Sequence, residues 1–261
     1  LDENKWVIGV IAQDEDGNTY DITAKAVILA TGGYGANKDL LSDALKSSLY
    51  YGRATSTGDG LIMARAVDAA TRLMEYGKRY PNGVEVAPGL AKSTIAGNIP
   101  AFSQSAILIN KLGHRVVNEK ASNRTILEAE VQQPDSMLYL LMDKATFDIF
   151  KTKLGPAGIS EKDIDAWLAA NGKETPRFMT APSLDALTAV SGIDADALKA
   201  TVERYNGFVK SGKDDDFGRG ADFLKAEIGE GPYYLVEQKP RFATTMGGLV
   251  INTDMQVQNT A

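Results

Sequence analysis

A continuous apolar run, Ala26-Val27-Ile28-Leu29-Ala30, closes directly on Thr31-Gly32-Gly33. A strand with one wet face alternates polar and apolar residues. A run with none predicts a strand covered on both faces, as in the sheets of α/β proteins. The glycines after it let main chain approach a dinucleotide closely and leave N–H groups for polar ligand atoms. Taken alone, the tetrapeptide Ala30-Thr31-Gly32-Gly33 is better described as a strand ending in a tight turn.

The segment before this run predicts a β-hairpin. Trp6–Ala12 is strand-like, Asp16-Gly17-Asn18 supplies the turn, and Thr19–Ala24 alternates Tyr20 and Ile22 with polar neighbours. After it, Thr57-Gly58-Asp59-Gly60 predicts a helix start with Asp59 as N-cap. Met63, Ala66, Val67, Ala70 and Met74 follow at helical spacing.

The middle of the chain changes texture. Ala106–Asn110 and Arg115–Asn118 predict a hairpin around Lys111-Leu112-Gly113-His114, and Leu138–Met142 a buried strand. Ser160–Ala170 opens with Ser-x-x-Asp and stops at Asn171-Gly172. Asp194–Ser211 places Leu198, Val202, Tyr205 and Val209 on one face and stops at Gly212. Tyr233–Glu237 and Leu249–Asn252 return to strand character. The order predicts an α+β chain: an outer α/β unit, residues 1–76 and 229–261, interrupted by an inserted unit over 77–228.

Composition excludes several classes. A net charge of −6 gives no electrostatic footprint for nucleic acid. With no cysteine, disulfides, thiolate metal sites and thiol nucleophiles are ruled out. No apolar run reaches the ~18–20 residues of a membrane span. Asp214-Asp215-Asp216 predicts a solvated acidic loop, since no further oxygen ligands are spaced as in a calcium loop, and no metal site is expected. His114, the sole histidine, is expected in a solvated turn. The chain begins on Leu1, without a basic and apolar leader, and opens almost at once on strand-like sequence. The expectation is an internal piece of a longer protein, and the compartment stays open.

A glycine-rich phosphate loop of the G-x-G-x-x-G kind is absent from this sequence, so a self-contained FAD or NAD enzyme is not expected. What the sequence carries instead is an ordered series: AVILATGGYGANKDLL, ATSTGDGLIMA, AILINKLGHRVVNE, ATVERYNGFVKSGKDDDFGR, PYYLVEQKP and TTMGGLVIN. Together these resemble the soluble fumarate reductase/flavocytochrome c flavoproteins over nearly the whole chain. The resemblance implies an FAD-binding domain, incomplete here, interrupted by a capping domain that closes over substrate.

The implied chemistry is hydride transfer from reduced flavin to an activated C=C bond, with an arginine of the cap protonating the other carbon. The implied substrate is an unsaturated carboxylic acid, and the implied electron donor is a haem or FMN domain or protein. Ala30, Thr31, Gly32, Gly33, Thr57, Gly58, Asp59, Met246, Gly247 and Gly248 would line the flavin pocket in the full-length parent, with the FAD not retained by this piece alone. Arg124 would be the proton donor; it falls five residues after Glu119 where the family pattern has four. Tyr80 stands where fumarate enzymes carry a histidine, and would hydrogen-bond or stack on substrate or else pack against the cap. Thr244, followed by Thr245, replaces a second histidine that holds a substrate carboxylate. The family's charged Glu-x-x-Arg relay is replaced by Ile99-Pro100-Ala101-Phe102-Ser103-Gln104. These losses favour an acrylate-, cinnamate- or urocanate-type acid over fumarate. A ketosteroid-type flavin dehydrogenase and a non-catalytic binding or electron-transfer module remain the alternatives.

Overall fold

The computed structural model describes residues 1–3 and 6–260. In chain order the elements are β1 (Gly9–Gln13), β2 (Thr19–Thr23), α1 (Asp43–Lys46), β3 (Leu49–Tyr50), α2 (Asp59–Arg65), β4 (Thr71–Arg72), β5 (Gly77–Ala87), β6 (Leu90–Ser93) and α3 (Ile95–Ala101). They continue with β7 (Ile107–Ile109), α4 (Asn123–Glu130), β8 (Leu138–Met142), α5 (Lys144–Lys151), α6 (Glu161–Ala170), β9 (Phe178–Ala181), α7 (Leu184–Ser191), α8 (Ala195–Ser211), β10 (Tyr233–Thr245) and β11 (Gly248–Leu249). The class is mixed α and β, as expected.

Two compact units result. One holds residues 1–42, 52–77 and 244–261; the other holds 43–51 and 78–243. The return to the first unit thus falls at Thr244, whereas the sequence placed it near 229. The reason is β10, a single strand from Tyr233 to Thr245 that pairs with β8 and β9 and lies next to β3 at Arg241–Phe242.

The larger unit is built on a seven-stranded sheet, ordered β3-β6-β5-β10-β8-β7 with β9 also on β10. The two-residue period of β8 divides its core. Leu138, Leu140 and Met142 pack with Phe147, Phe150 and Ile164 on one face, while Tyr139 and Leu141 pack with Leu198, Val202 and Tyr205 on the other. A strand without polar residues is what such a two-sided position requires. Helices α6 and α8 start where the sequence says. Ser160 and Asp163 form a capping box on α6, which ends at left-handed Asn171; Asp194 caps α8, which ends at left-handed Gly212.

The smaller unit departs from expectation in two places. Residues 26–30 form no strand among the described residues, and Ile28 is 90% exposed. No ladder partner is present for their main-chain groups, and apolarity without a partner does not make a sheet. The helix after Gly58 stops at Arg65 instead of running to Met74, and its N-cap is the left-handed Gly58 with Asp59 one position inside. Asp68 takes a positive φ of 65°, and the chain then pairs laterally: Ala69 bridges Asn259 and β4 pairs β11. Lateral pairing has outweighed helical spacing.

The acidic loop is also corrected in part. Asp215 is exposed, but Asp214 is buried and bonded to Arg115. His114 is exposed in its turn, as expected. No helix among the described residues is long and apolar enough to cross a membrane, and no metal-ligating cluster is found among them.

Candidate functional site

In the smaller unit the glycine-rich segments, far apart in sequence, come together. The Gly58 N–H donates to the Gly33 carbonyl at 3.1 Å, and Ala36 N–H to Ser56 at 2.9 Å. A Cβ built on Gly60 would lie 2.0 Å from the Thr31 hydroxyl oxygen, and one on Gly58 would lie 2.9 Å from Tyr34 Cβ. These glycines are therefore needed for close packing of the Thr31-Gly32-Gly33 and Thr57-Gly58-Asp59-Gly60 loops. A third segment joins them: a Cβ on Gly33 would lie 3.5 Å from Thr245 Oγ1, and Gly247 packs on the Leu73 carbonyl, where a Cβ would approach to 2.5 Å. Asp59 accepts from the Thr57 hydroxyl at 2.9 Å, and Met246 N–H donates to Tyr76 at 2.9 Å.

Thr31, Gly32 and Gly33 are exposed, Gly32 has a φ of 79°, and their N–H groups make no main-chain hydrogen bond among the described residues. Ala30 and Met246 are exposed too, and Gly248 is half-buried. A glycine lip with free N–H groups fits the negatively polarised edge of a dinucleotide cofactor.

In the larger unit a different chemistry is assembled. Arg241, 3% exposed, lies with its guanidinium 4.1 Å from the Tyr51 ring centroid and 5.0 Å from that of Tyr80. Asn82 holds it by the side: its Oδ1 accepts from both Nε and Nη2, and its carbonyl accepts from Nε at 3.1 Å. Burial pulls the Arg241 pKa below the ordinary arginine value, partly offset by Tyr51. Its Nη1 has no hydrogen-bond partner.

Asn82 also borders a cavity of about 40 Å³ lined by Asn98, Glu119, Asn123, Ile126 and Gln238 among others. The amides there form a chain. Asn98 Nδ2 and Thr94 Oγ1 both donate to Gln238 Oε1, at 2.7 and 3.1 Å, while Asn98 Oδ1 stays unpaired.

Arg124 is not part of this cluster. It is exposed on α4 and pairs with Glu128 at 2.8 Å, and that carboxylate raises its pKa. Asn123, four residues after Glu119, faces the cavity instead. Tyr80 is brought to Arg241; Thr244 is exposed at the end of β10, in the other unit, with Thr245 half-buried beside it.

Sequence reasoning missed the buried charges. Glu119 accepts from Leu108 N–H and Arg115 Nε through Oε1, and from Arg115 Nη2 and Arg219 Nη1 through Oε2. Arg219 further donates to the carbonyls of Phe102, Gln104, Ala106 and Phe223. The clue lay in Asp-Asp-Asp-Phe-Gly-Arg, whose last residue is the pin. Arg241 carried a weaker signal, an arginine at an inward register of a strand that reads as ended.

The FAD binding domain family matches residues 1–261. Urocanate reductase of Eggerthella lenta is 34% identical over 98% of this chain and 41% of its own length. A fumarate reductase (cytochrome) of Shewanella frigidimarina is 32% identical over 99% of this chain and 42% of its own. Among solved structures, the open conformation of a flavocytochrome c3 fumarate reductase superposes with a TM-score of 0.75 at 27% identity, covering all of this chain and 42% of that one. The chain thus spans about two fifths of the length of these relatives. With the glycine segments converging as they do, the chain belongs to the FAD-dependent oxidoreductase family of the fumarate reductase/flavocytochrome c flavoproteins.

Proposed function

We propose that this chain is the cap and part of the FAD domain of a reductase that saturates the C=C bond of an unsaturated carboxylic acid. The unit of residues 78–243 is the cap, and the glycine segments of the smaller unit contribute one side of the flavin site. The observation that carries this is the convergence of Gly33, Gly58 and Thr245 on one exposed lip. It is supported by relatives whose names are those of urocanate and fumarate reductases.

Reduced FAD, when bound in the full-length protein, supplies the hydride. Thr31, Gly32, Gly33, Thr57, Gly58, Asp59, Met246, Gly247 and Gly248 hold it, and a haem or FMN domain or protein supplies the electrons. The residues of this chain bind and orient the acid. A cation at its carboxylate polarises the conjugated double bond and fixes the face presented to the cofactor. Tyr80, stacked beside Arg241, is the proposed substrate contact. A buried guanidinium favours an acid over the ketone of a steroid.

The test is anaerobic turnover of the full-length, FAD-loaded protein with reduced viologen as donor. Acrylate, cinnamate, urocanate and fumarate are compared with a 3-ketosteroid. Oxidation of the dye by at least one acid is expected; turnover of the steroid alone would overturn the reading. FAD titration of the 261-residue chain is expected to show no tight stoichiometric binding, because other segments complete the site.

A further inference from the structure

Among the described residues the buried arginines are Arg115, Arg219 and Arg241. Arg115 pairs with Glu119 and Asp214, and Arg219 pairs with Glu119. Arg241 has no carboxylate partner. A buried cation without an anion is costly, and proteins keep one where a ligand supplies the missing charge.

The geometry says how that ligand would bind. A guanidinium has five N–H donors in one plane. Asn82 occupies the side edge of Arg241, formed by Nε and one hydrogen of Nη2. At the end edge, formed by Nη1 and the other hydrogen of Nη2, Nη1 meets no acceptor. Two parallel N–H groups at that edge match the two oxygens of a carboxylate. The faces of the plane are flanked by Tyr51, which also hydrogen-bonds the guanidinium, and Tyr80, both half-buried. Asn82 is fixed from behind, because its carbonyl accepts the Thr94 N–H at 3.0 Å. The edge is therefore preorganised.

We infer that Arg241 is the anchor for the carboxylate of the substrate, received end-on between Tyr51 and Tyr80. One unpaired buried cation matches one carboxylate, so the preferred substrates are monocarboxylic enoates rather than dicarboxylates. This rests on the reductase reading above for the identity of the acid, but not for the anion site itself.

The test separates the two. The 261-residue chain is labelled with 15N-arginine and titrated with acrylate, then with uncharged acrylamide of the same shape. The Arg241 Nε–H signal is assigned by its loss in Arg241→Lys, whose melting curve is checked against the parent chain. Saturable displacement of that signal by acrylate and none by acrylamide is expected. Equal displacement by both, or none by acrylate, overturns the anchor without any variant being needed. In the full-length enzyme, Arg241→Gln is expected to raise KM for acrylate at least tenfold with kcat within about threefold, and Arg241→Lys to fall between. An unchanged KM overturns the anchor while leaving the reductase reading intact. An Arg241 signal that answers acrylate in an enzyme that reduces no acid keeps the anion site and removes the reductase reading.

Discussion

Arg115 grips Glu119 through two parallel hydrogen bonds, Nε to Oε1 and Nη2 to Oε2, each 2.8 Å long and shut away from water. Four residues separate them, yet the pair serves distant chain: Arg219 closes on the same carboxylate, and Asp214 on the same guanidinium. The Val-Asn-Glu element is a pin through the larger unit. It ties the loop before β7 to the segment after α8.

Breaking that pin leaves charge buried without a partner. Glu119→Gln is expected to cost about 3–5 kcal/mol of unfolding free energy, read from the denaturant midpoint at constant slope. A loss below about 1 kcal/mol would mean that the network contributes little.

Acid should loosen the same network through Asp214. Burial raises its pKa, but the Arg115 hydrogen bond and the Arg219 N–H outweigh this and leave it below the usual aspartate value. A folded pKa depressed in this way contributes stability that is present above the unfolded value and lost as pH falls through the folded one. Asp214→Asn should therefore flatten the acid limb of a stability–pH curve. An acid limb that stays equally steep would assign that loss to other carboxylates.

Glu130 works in the opposite sense. It is fully buried on α4, both carboxylate oxygens lack hydrogen-bond partners, and burial raises its pKa well above the ordinary value, with Arg79 offsetting part. Here the folded pKa exceeds the unfolded one, so the native state holds the proton more tightly. Stability falls as pH rises from the unfolded value toward the folded one. Glu130→Gln is expected to stabilise the chain more at pH 8 than at pH 5, by on the order of 1–3 kcal/mol at the higher pH. The measurement is a pair of urea titrations at each pH, and an equal difference at both would exclude a titrating Glu130.

Gly247 is replaceable on φ but not on space. A Cβ there would meet the Leu73 carbonyl oxygen at 2.5 Å and Met74 Cα at 2.6 Å, and main chain does not move aside cheaply. Gly247→Ala is expected to lose about 1–3 kcal/mol and to lower flavin content in the full-length protein. Flavin absorbance per polypeptide reports it, with Gly248→Ala as the comparison, since nothing lies within 4 Å of a Cβ there.

Arg124→Ala is expected to leave turnover of the full-length enzyme within about twofold. Its guanidinium is exposed and engaged by Glu128 one helical turn away, an arrangement that water and salt screen. A hundredfold fall in kcat with normal flavin content would restore it as the proton donor.

The sequence by itself determined what local rules control. The caps of α6 and α8 follow from a hydroxyl or carboxylate three residues ahead of an orphan N–H. Apolarity on both faces of Leu138–Met142 requires a layer on each side, and both layers are present. The same local rule failed for Ala26–Ala30, because a strand is made by its neighbour and none lies beside it among the described residues. Helical spacing failed from Ala66 to Met74 for the related reason that β11 and Asn259 offered lateral partners. The glycine segments were visible one by one, but only the fold joined Gly33 to Gly58 and Thr245. Likewise nothing local distinguishes Arg124 from Arg241. One lies on a helix face open to water, the other on a strand register enclosed by Tyr51, Tyr80 and Asn82. Burial, a property of the whole fold, decided which arginine is left needing an anion.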